Sequence, residues 1–189
     1  DIDDYVADVV IEDGTGVWTT DVNVVHSTDT GQVKLHIEDA FATGIVGYKD
    51  FAAQDWSATG KKTISFLITS SANLAEGVLK LVYDEHSGCV STSEELTIPA
   101  LKANIQTRVN LTLAAVSASR DAVISIGLKA ISDPGHIDVW LDDIKITTLE
   151  SGKDYYVYAC DNGTLAFKVS ANSTVPAGFL AGTSRKIGG

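Results

Sequence analysis

Hydrophobic and polar residues alternate along most of this chain, the pattern of strands that turn one face to a core. The clearest case is residues 32–37, where Val33, Leu35 and Ile37 alternate with Lys34 and His36. Similar runs occupy residues 5–12, 44–51, 62–69, 78–84, 94–98, 106–113, 122–128 and 136–146. No segment keeps a helical period over more than two turns. About nine or ten short strands with regular turn signals predict an all-β antiparallel sandwich.

The closing strand of this series, residues 136–146, changes its buried face partway along. Ile137, Val139 and Leu141 share one parity, whereas Ile144 and Ile146 share the other. Side chains alternate between the two faces of a strand, so a fixed core face requires one parity throughout. The switch falls at Asp142-Asp143 and predicts a β-bulge there, which would restore the register and redirect both acids.

The pattern changes after residue 146. A polar linker over 147–153 leads into a predicted hairpin of residues 154–159 and 164–169, joined across Asn162-Gly163, a strong turn signal. Residues 170–189 are rich in small side chains. We therefore divide the chain into a sandwich, residues 1–148, and a second segment, residues 149–189, made of a linker, a hairpin and an extended arm. The second segment could also be the start of another domain. The start at Asp1 and the absence of Met indicate processing or an excerpt of a longer chain.

Composition narrows the classes of partner. Hydrophobic residues make up 44% of the chain, which is typical of a globular protein. The net charge of −11 repels phosphate backbones, so nucleic-acid binding is not expected. No apolar run approaches the roughly 20 residues needed to cross a bilayer, so membrane insertion is not expected either.

Catalytic motifs are not found in the sequence. It contains neither a Gly-x-Ser-x-Gly elbow nor a phosphate-binding glycine loop. Its four histidines, His26, His36, His86 and His136, are too widely spaced to suggest a metal site. Acids are plentiful, but pairing any two of them as a glycosidase dyad is arbitrary without geometry. We therefore expect a non-catalytic protein.

The acids at the bulge suggest a cation site. Ca²⁺ prefers six to eight oxygen ligands from carboxylates, carbonyls and water. If the first and last strands pair, Glu12 and Asp13 meet Asp142 and Asp143, and these four are our candidate ligands. The alternative is a solvated bulge in which one aspartate caps nearby backbone N–H groups. Structural Ca²⁺ is the single cofactor that we expect.

Aromatic side chains suggest a sugar platform, because sugar rings stack on exposed aromatic faces. The candidates are Trp18, Trp56, Trp140, Tyr48 and Tyr83. Trp140 has the parity opposite to Val139 and Leu141, so we expect it to face outward. The alternative is that these rings seal the rim of the sandwich, since large aromatics are usually mostly buried.

Residues 17–148 resemble a jelly-roll domain of the carbohydrate-binding-module type, as found in bacteriophage virion proteins. The segments that carry the resemblance are AFATGIVGYKDF at 40–51, SFLITSS at 65–71, LTIPAL at 96–101 and VWLDDI at 139–144. The tail, from YYVYACDNG at 155–163 to SRKIGG at 184–189, resembles a connector of phage tail and structural proteins. In such modules an acid of the last strand often joins one of the first strands around a structural Ca²⁺, which here implies Asp142 or Asp143 together with Glu12 or Asp13.

The resemblance implies two functions. The first is a virion structural protein, such as a capsid decoration, fibre or tail component, whose sandwich packs against other virion subunits as a homo-oligomer. The second is a module that binds host-surface glycans during adsorption. Both place the chain on the virion surface.

Overall fold

The chain folds into short strands joined by turns. A computed structural model describes residues 9–57, 63–114, 117–147, 156–161, 165–170 and 185–188. The described ranges contain two short 3₁₀ helices, Ser87–Cys89 and Ser117–Ser119, and no α-helix. The strands are β1 Val9–Glu12, β2 Thr19–Thr20, β3 Val24–Asp29, β4 Gln32–Ile37, β5 Gly44–Gln54, β6 Thr63–Ser70, β7 Leu79–Asp84, β8 Glu94–Thr97, β9 Thr107–Thr112, β10 Val123–Ala130, β11 Ile137–Thr147, β12 Tyr156–Asp161, β13 Leu165–Ser170 and β14 Arg185–Gly188.

Two antiparallel sheets form the sandwich. The six-stranded sheet has the order β3-β4-β11-β6-β9, with β1 pairing along β11, and the five-stranded sheet has the order β2-β5-β10-β7-β8. Apart from the consecutive pairs β3–β4 and β7–β8, neighbouring strands in both sheets come from distant parts of the sequence, as in a jelly roll. The predicted all-β antiparallel sandwich is confirmed.

The core lies between the two sheets and is built from alternate residues of each strand. In β4 the side chains of Val33, Leu35 and Ile37 are fully buried, as their alternation predicts. Trp56, Phe66 and Tyr83 are the largest fully buried side chains. Each such side chain contributes about 1.5–3 kcal/mol through the hydrophobic effect, so the core is the main source of stability.

The predicted bulge in β11 is confirmed. The register of β11 against β6 shifts between Asp142 and Lys145, and Asp143 has a φ of 47°, in the left-handed region. On both sides of this shift, Leu141 and Ile144 point into the core. The first and last strands of the sandwich also pair, with Glu12 opposite Ile144. The bulge therefore lets one strand keep its hydrophobic side inward over its whole length.

A separate three-stranded sheet follows. Strands β12 and β13 pair antiparallel from Tyr156↔Ser170 to Asp161↔Leu165, which confirms the predicted hairpin, although its turn at 162–164 lies outside the described residues. The sequence pattern did not predict β14, which pairs with β12 on its other edge. The boundary at residue 148 also lies outside the described residues, so the division into two domains stays a prediction. None of the helices found in the described ranges has the length and apolar character needed to cross a membrane.

Candidate functional site on the outer face of the six-stranded sheet

Glu12, the first predicted cation ligand, is a buried and fully hydrogen-bonded carboxylate. Its Oε1 accepts hydrogen bonds from the backbone N–H groups of Gly14 and Gly16, at 2.9 and 2.8 Å. Its Oε2 accepts from Trp18 Nε1 at 3.0 Å and from Lys49 Nζ at 2.9 Å. Burial opposes ionisation of this group, but the bonds from Gly16, Lys49 and Trp18 hold its pKa below the usual range. Glu12 is therefore an ionised carboxylate whose charge is already balanced by Lys49.

The other predicted ligands are occupied as well. Asp13 is exposed and accepts from the backbone and hydroxyl of Thr15. Asp142 accepts from the N–H of Asp143 at 2.7 Å, the capping arrangement that we raised as the alternative. The Asp143 carboxylate pairs with Arg108 at 2.6 Å. Calcium binding at the four acids would therefore require Glu12 to release Lys49 and Asp143 to release Arg108.

Three of the five predicted platform aromatics are core residues. Trp18, Trp56 and Tyr83 are 3%, 0% and 0% exposed, so none of them offers a face on which a sugar can stack. Trp56 packs edge to face against Tyr83 with 5.2 Å between ring centroids. The hydroxyl of Tyr83 donates to Glu94 at 2.7 Å. These three rings follow the alternative that we raised, because they seal the sandwich.

Trp140 and Tyr48 remain partly exposed, but on different sheets. Trp140 lies on β11 in the six-stranded sheet and Tyr48 on β5 in the five-stranded sheet. Trp140 projects outward, since its strand neighbours Val139 and Leu141 are buried. The predicted aromatics therefore do not form one continuous platform, and Trp140 stands alone on its face.

Trp140 lies in a strip of outward-facing side chains on β3, β4 and β11. We call this set the polar strip; its members are Asp29, Lys34, His36, Asp138 and Trp140. Trp140 Nε1 donates to Asp29 at 3.0 Å, and Lys34 Nζ lies 5.2 Å from the Trp140 ring centroid, a cation–π contact. Lys34 also pairs with Asp138 at 3.1 Å. The polar strip offers a ring, an ammonium group and carboxylates side by side for contact with a partner.

The sequence did not predict that two histidines of this face lie close together. His36 lies directly opposite Asp138 in the β4–β11 register, and its Nδ1 is 2.6 Å from Asp138 Oδ1. His136, 100 residues away in sequence, places its Nε2 3.1 Å from His36 Nε2. A separation of 100 residues gives no indication that the two histidines are neighbours. The alternation of β4 does predict that Lys34 and His36 face outward. It does not predict which strand pairs with β4, so it could not place His136 beside His36.

An open groove of ≈ 400 Å³ runs beside β9, away from the polar strip. Its lining includes Arg108 and Asn110 from β9, together with Glu76, Thr97 and Pro99. The lining contains charged and amide groups but no aromatic ring. It therefore lacks the stacking surface that a sugar platform requires.

Comparison with known proteins gives two partial sequence matches. A family model described as Mtd second domain matches residues 104–189, a little under half of the chain. The match begins before β9 and continues through the C-terminal strands, so it crosses the predicted boundary at 148. A tail fiber receptor-binding protein of Bordetella phage BPP-1 is 39% identical over 46 residues, which amount to 24% of this chain and 12% of that protein. The matched stretch thus spans about one eighth of that relative.

Solved carbohydrate-binding modules are similar in fold. A family 29 module aligns with a TM-score of 0.48 and 13% identity, covering 75% of this chain and 92% of the module. A family 11 module of a cellulosomal cellulase of Clostridium thermocellum aligns with a TM-score of 0.49 and 18% identity, covering 78% of this chain and 98% of the module. At these identities the likenesses carry no information about what this chain binds.

Proposed function

We propose that this chain is a non-catalytic component of a bacteriophage tail fibre and that its sandwich packs against other virion subunits, including copies of itself. The observation that carries the proposal is the 39% identity over 46 residues to a phage tail fiber receptor-binding protein. Because that match spans 12% of the relative, the activity of the whole relative is not transferred with it.

Features of the described residues are compatible with packing against a partner. In the polar strip an ion pair and a hydrogen bond hold the outward-facing side chains of Lys34, Asp138 and Trp140 in place. The charge of −11 suits a virion partner with positive charge; between copies of the chain it is repulsive and does not support packing. Fold alone does not establish a function, so these features only agree with the proposal that the sequence match makes.

Quantitative mass spectrometry of purified particles tests this proposal. Virions are produced from the genome that encodes the chain and compared with particles from which the tail fibres have been removed. We expect peptides of the chain in complete virions and their loss with the fibres. Peptides retained in fibreless particles would place the chain elsewhere and contradict the tail-fibre assignment.

Trp140 favours a second candidate function, glycan binding at the host surface. Sugar sites combine an exposed ring with a few fixed polar groups, and Trp140 has Asp29 and Lys34 beside it. A glycan array with the wild type, Trp140→Ala and the control Val25→Ala, an exposed residue of the neighbouring β3, tests it. Binding that Trp140→Ala abolishes and Val25→Ala preserves would support the glycan site; binding that survives Trp140→Ala would exclude it.

A further inference from the structure

We propose that His36, His136 and Glu38 form a binding site for a transition-metal ion of the zinc class. Their ligand atoms all lie within 4.8 Å of one another. The two Nε2 atoms are 3.1 Å apart, His36 Nε2 lies 3.3 Å from Glu38 Oε1, and His136 Nε2 lies 3.9 Å from Glu38 Oε2. Ligands placed about 2.0–2.1 Å from a tetrahedral zinc ion are about 3.3 Å apart. The site therefore has close to the required spacing before any ion binds.

Asp138 orients the first histidine for this role. Its Oδ1 is 2.6 Å from His36 Nδ1, and because a carboxylate accepts, Nδ1 carries a proton; in the neutral ring the Nε2 lone pair then faces His136. Asp138 is itself fixed, since its Oδ2 pairs with Lys34 at 3.1 Å and its backbone N–H donates to Ser71 Oγ at 2.9 Å. A carboxylate behind a ligating imidazole is the usual outer shell of protein zinc sites.

The chemistry of the ligands selects the kind of ion. Two imidazole nitrogens and one carboxylate oxygen suit zinc and its neighbours in the transition series, whereas calcium and magnesium require oxygen ligands throughout. Glu38, Asp138 and the nearby Asp39, whose Oδ2 is 3.9 Å from His136 Nδ1, supply negative charge around a divalent cation. This combination separates the site from the all-oxygen set around Glu12.

An ion bound at this position would link two strands of the six-stranded sheet. Ile37 at the end of β4 pairs with Ile137 at the start of β11, so the ligands flank the point where these two strands meet. The His136 and Glu38 side chains are 50% and 46% exposed, so an ion reaches them from solvent and keeps a fourth position open. A bound ion would join segments 100 residues apart and stabilise the folded state by mass action. The site does not rest on the proposed function.

Calorimetric titration with Zn²⁺ and thermal melts of the full chain, freed of any histidine tag, test the site. The ligand variants are His136→Gln and Glu38→Gln, and the control is His86→Gln, an exposed histidine on the loop after β7. We expect one zinc ion per wild-type chain, a melting midpoint that rises by several degrees with zinc, and at least tenfold weaker binding in both ligand variants. The His86→Gln control should bind as the wild type does.

A second measurement keeps the test independent of variant folding. In the wild type, zinc should shift the Nε2 ¹⁵N resonances of His36 and His136 in NMR spectra and leave those of His86 unchanged, and calcium in excess should not reverse these shifts. Absence of zinc binding by the wild type would overturn the proposal. Equal affinity in wild type and His136→Gln, or equal loss in His86→Gln, would also overturn it.

Discussion

At the scale of single residues, Glu12 shows what a sequence cannot specify about a carboxylate. Its place at the end of β1, across from the β11 bulge, follows from the strand pattern, and the pairing of β1 with β11 is as expected. Its role depends on four donors, among them Trp18 and Lys49, which sequence patterns do not assign to it. A buried acid with this set of partners is an internal ion pair, whereas one lacking them would carry an uncompensated charge.

Removing the charge of Glu12 should destabilise the fold strongly. Glu12→Gln leaves Lys49 partly buried without a counter-charge and turns an amide donor toward existing donors, so we expect a loss of about 3 kcal/mol in the free energy of unfolding. Urea denaturation measures it. The control Asp13→Asn, on an exposed acid next to it, should change stability by less than about 0.5 kcal/mol. Similar small losses in both variants would show that the Glu12 network does not stabilise the fold.

The same carboxylate predicts a pH dependence. The folded-state pKa of Glu12 is lowered, so its contribution is present above the unfolded value of about 4.3 and disappears as the pH falls through the lower folded value. The difference in unfolding free energy between wild type and Glu12→Gln should therefore be constant near neutrality and shrink in acid. A difference that grows as the pH falls would contradict the lowered pKa.

At the scale of elements, hydrophobic parity predicted more than any other signal. It located β4 and the bulge in β11, because burial of one strand face constrains every second residue. It did not show that β4 pairs with β11, since partner choice depends on the whole topology. For the same reason the sequence did not predict that His36 lies close to His136. Strand β14 was not predicted because it is too short to show an alternating pattern.

The bulge gives a prediction of its own. Asp143 has a φ of 47°, which Asp and Asn tolerate and β-branched residues do not. Asp143→Val should therefore lower the unfolding free energy by about 1–2 kcal/mol more than Asp143→Asn, which also loses the charge that pairs with Arg108. Ser27→Val, at an exposed position of β3 where the strand register is regular, should be nearly neutral. Equal losses in the two Asp143 variants would mean that the left-handed conformation costs nothing at this position.

At the scale of the whole molecule, the sequence predicted calcium binding between the first and last strands, and the structure gives a reason to expect otherwise. The Glu12 oxygens already accept four hydrogen bonds, so adding calcium should leave the melting midpoint of the chain unchanged. Calorimetry with calcium and with the chelator EGTA measures this. A rise of several degrees in calcium that EGTA reverses would support the cation site instead.

The central claim is that the chain belongs to a phage tail fibre, and immunogold electron microscopy of virions tests it most directly. Antibodies raised against the sandwich are applied to particles produced from the encoding genome, with antibodies to the major capsid protein as the reference label. We predict gold along the tail fibres. Gold spread over the capsid, or on the tail away from the fibres, would contradict the claim.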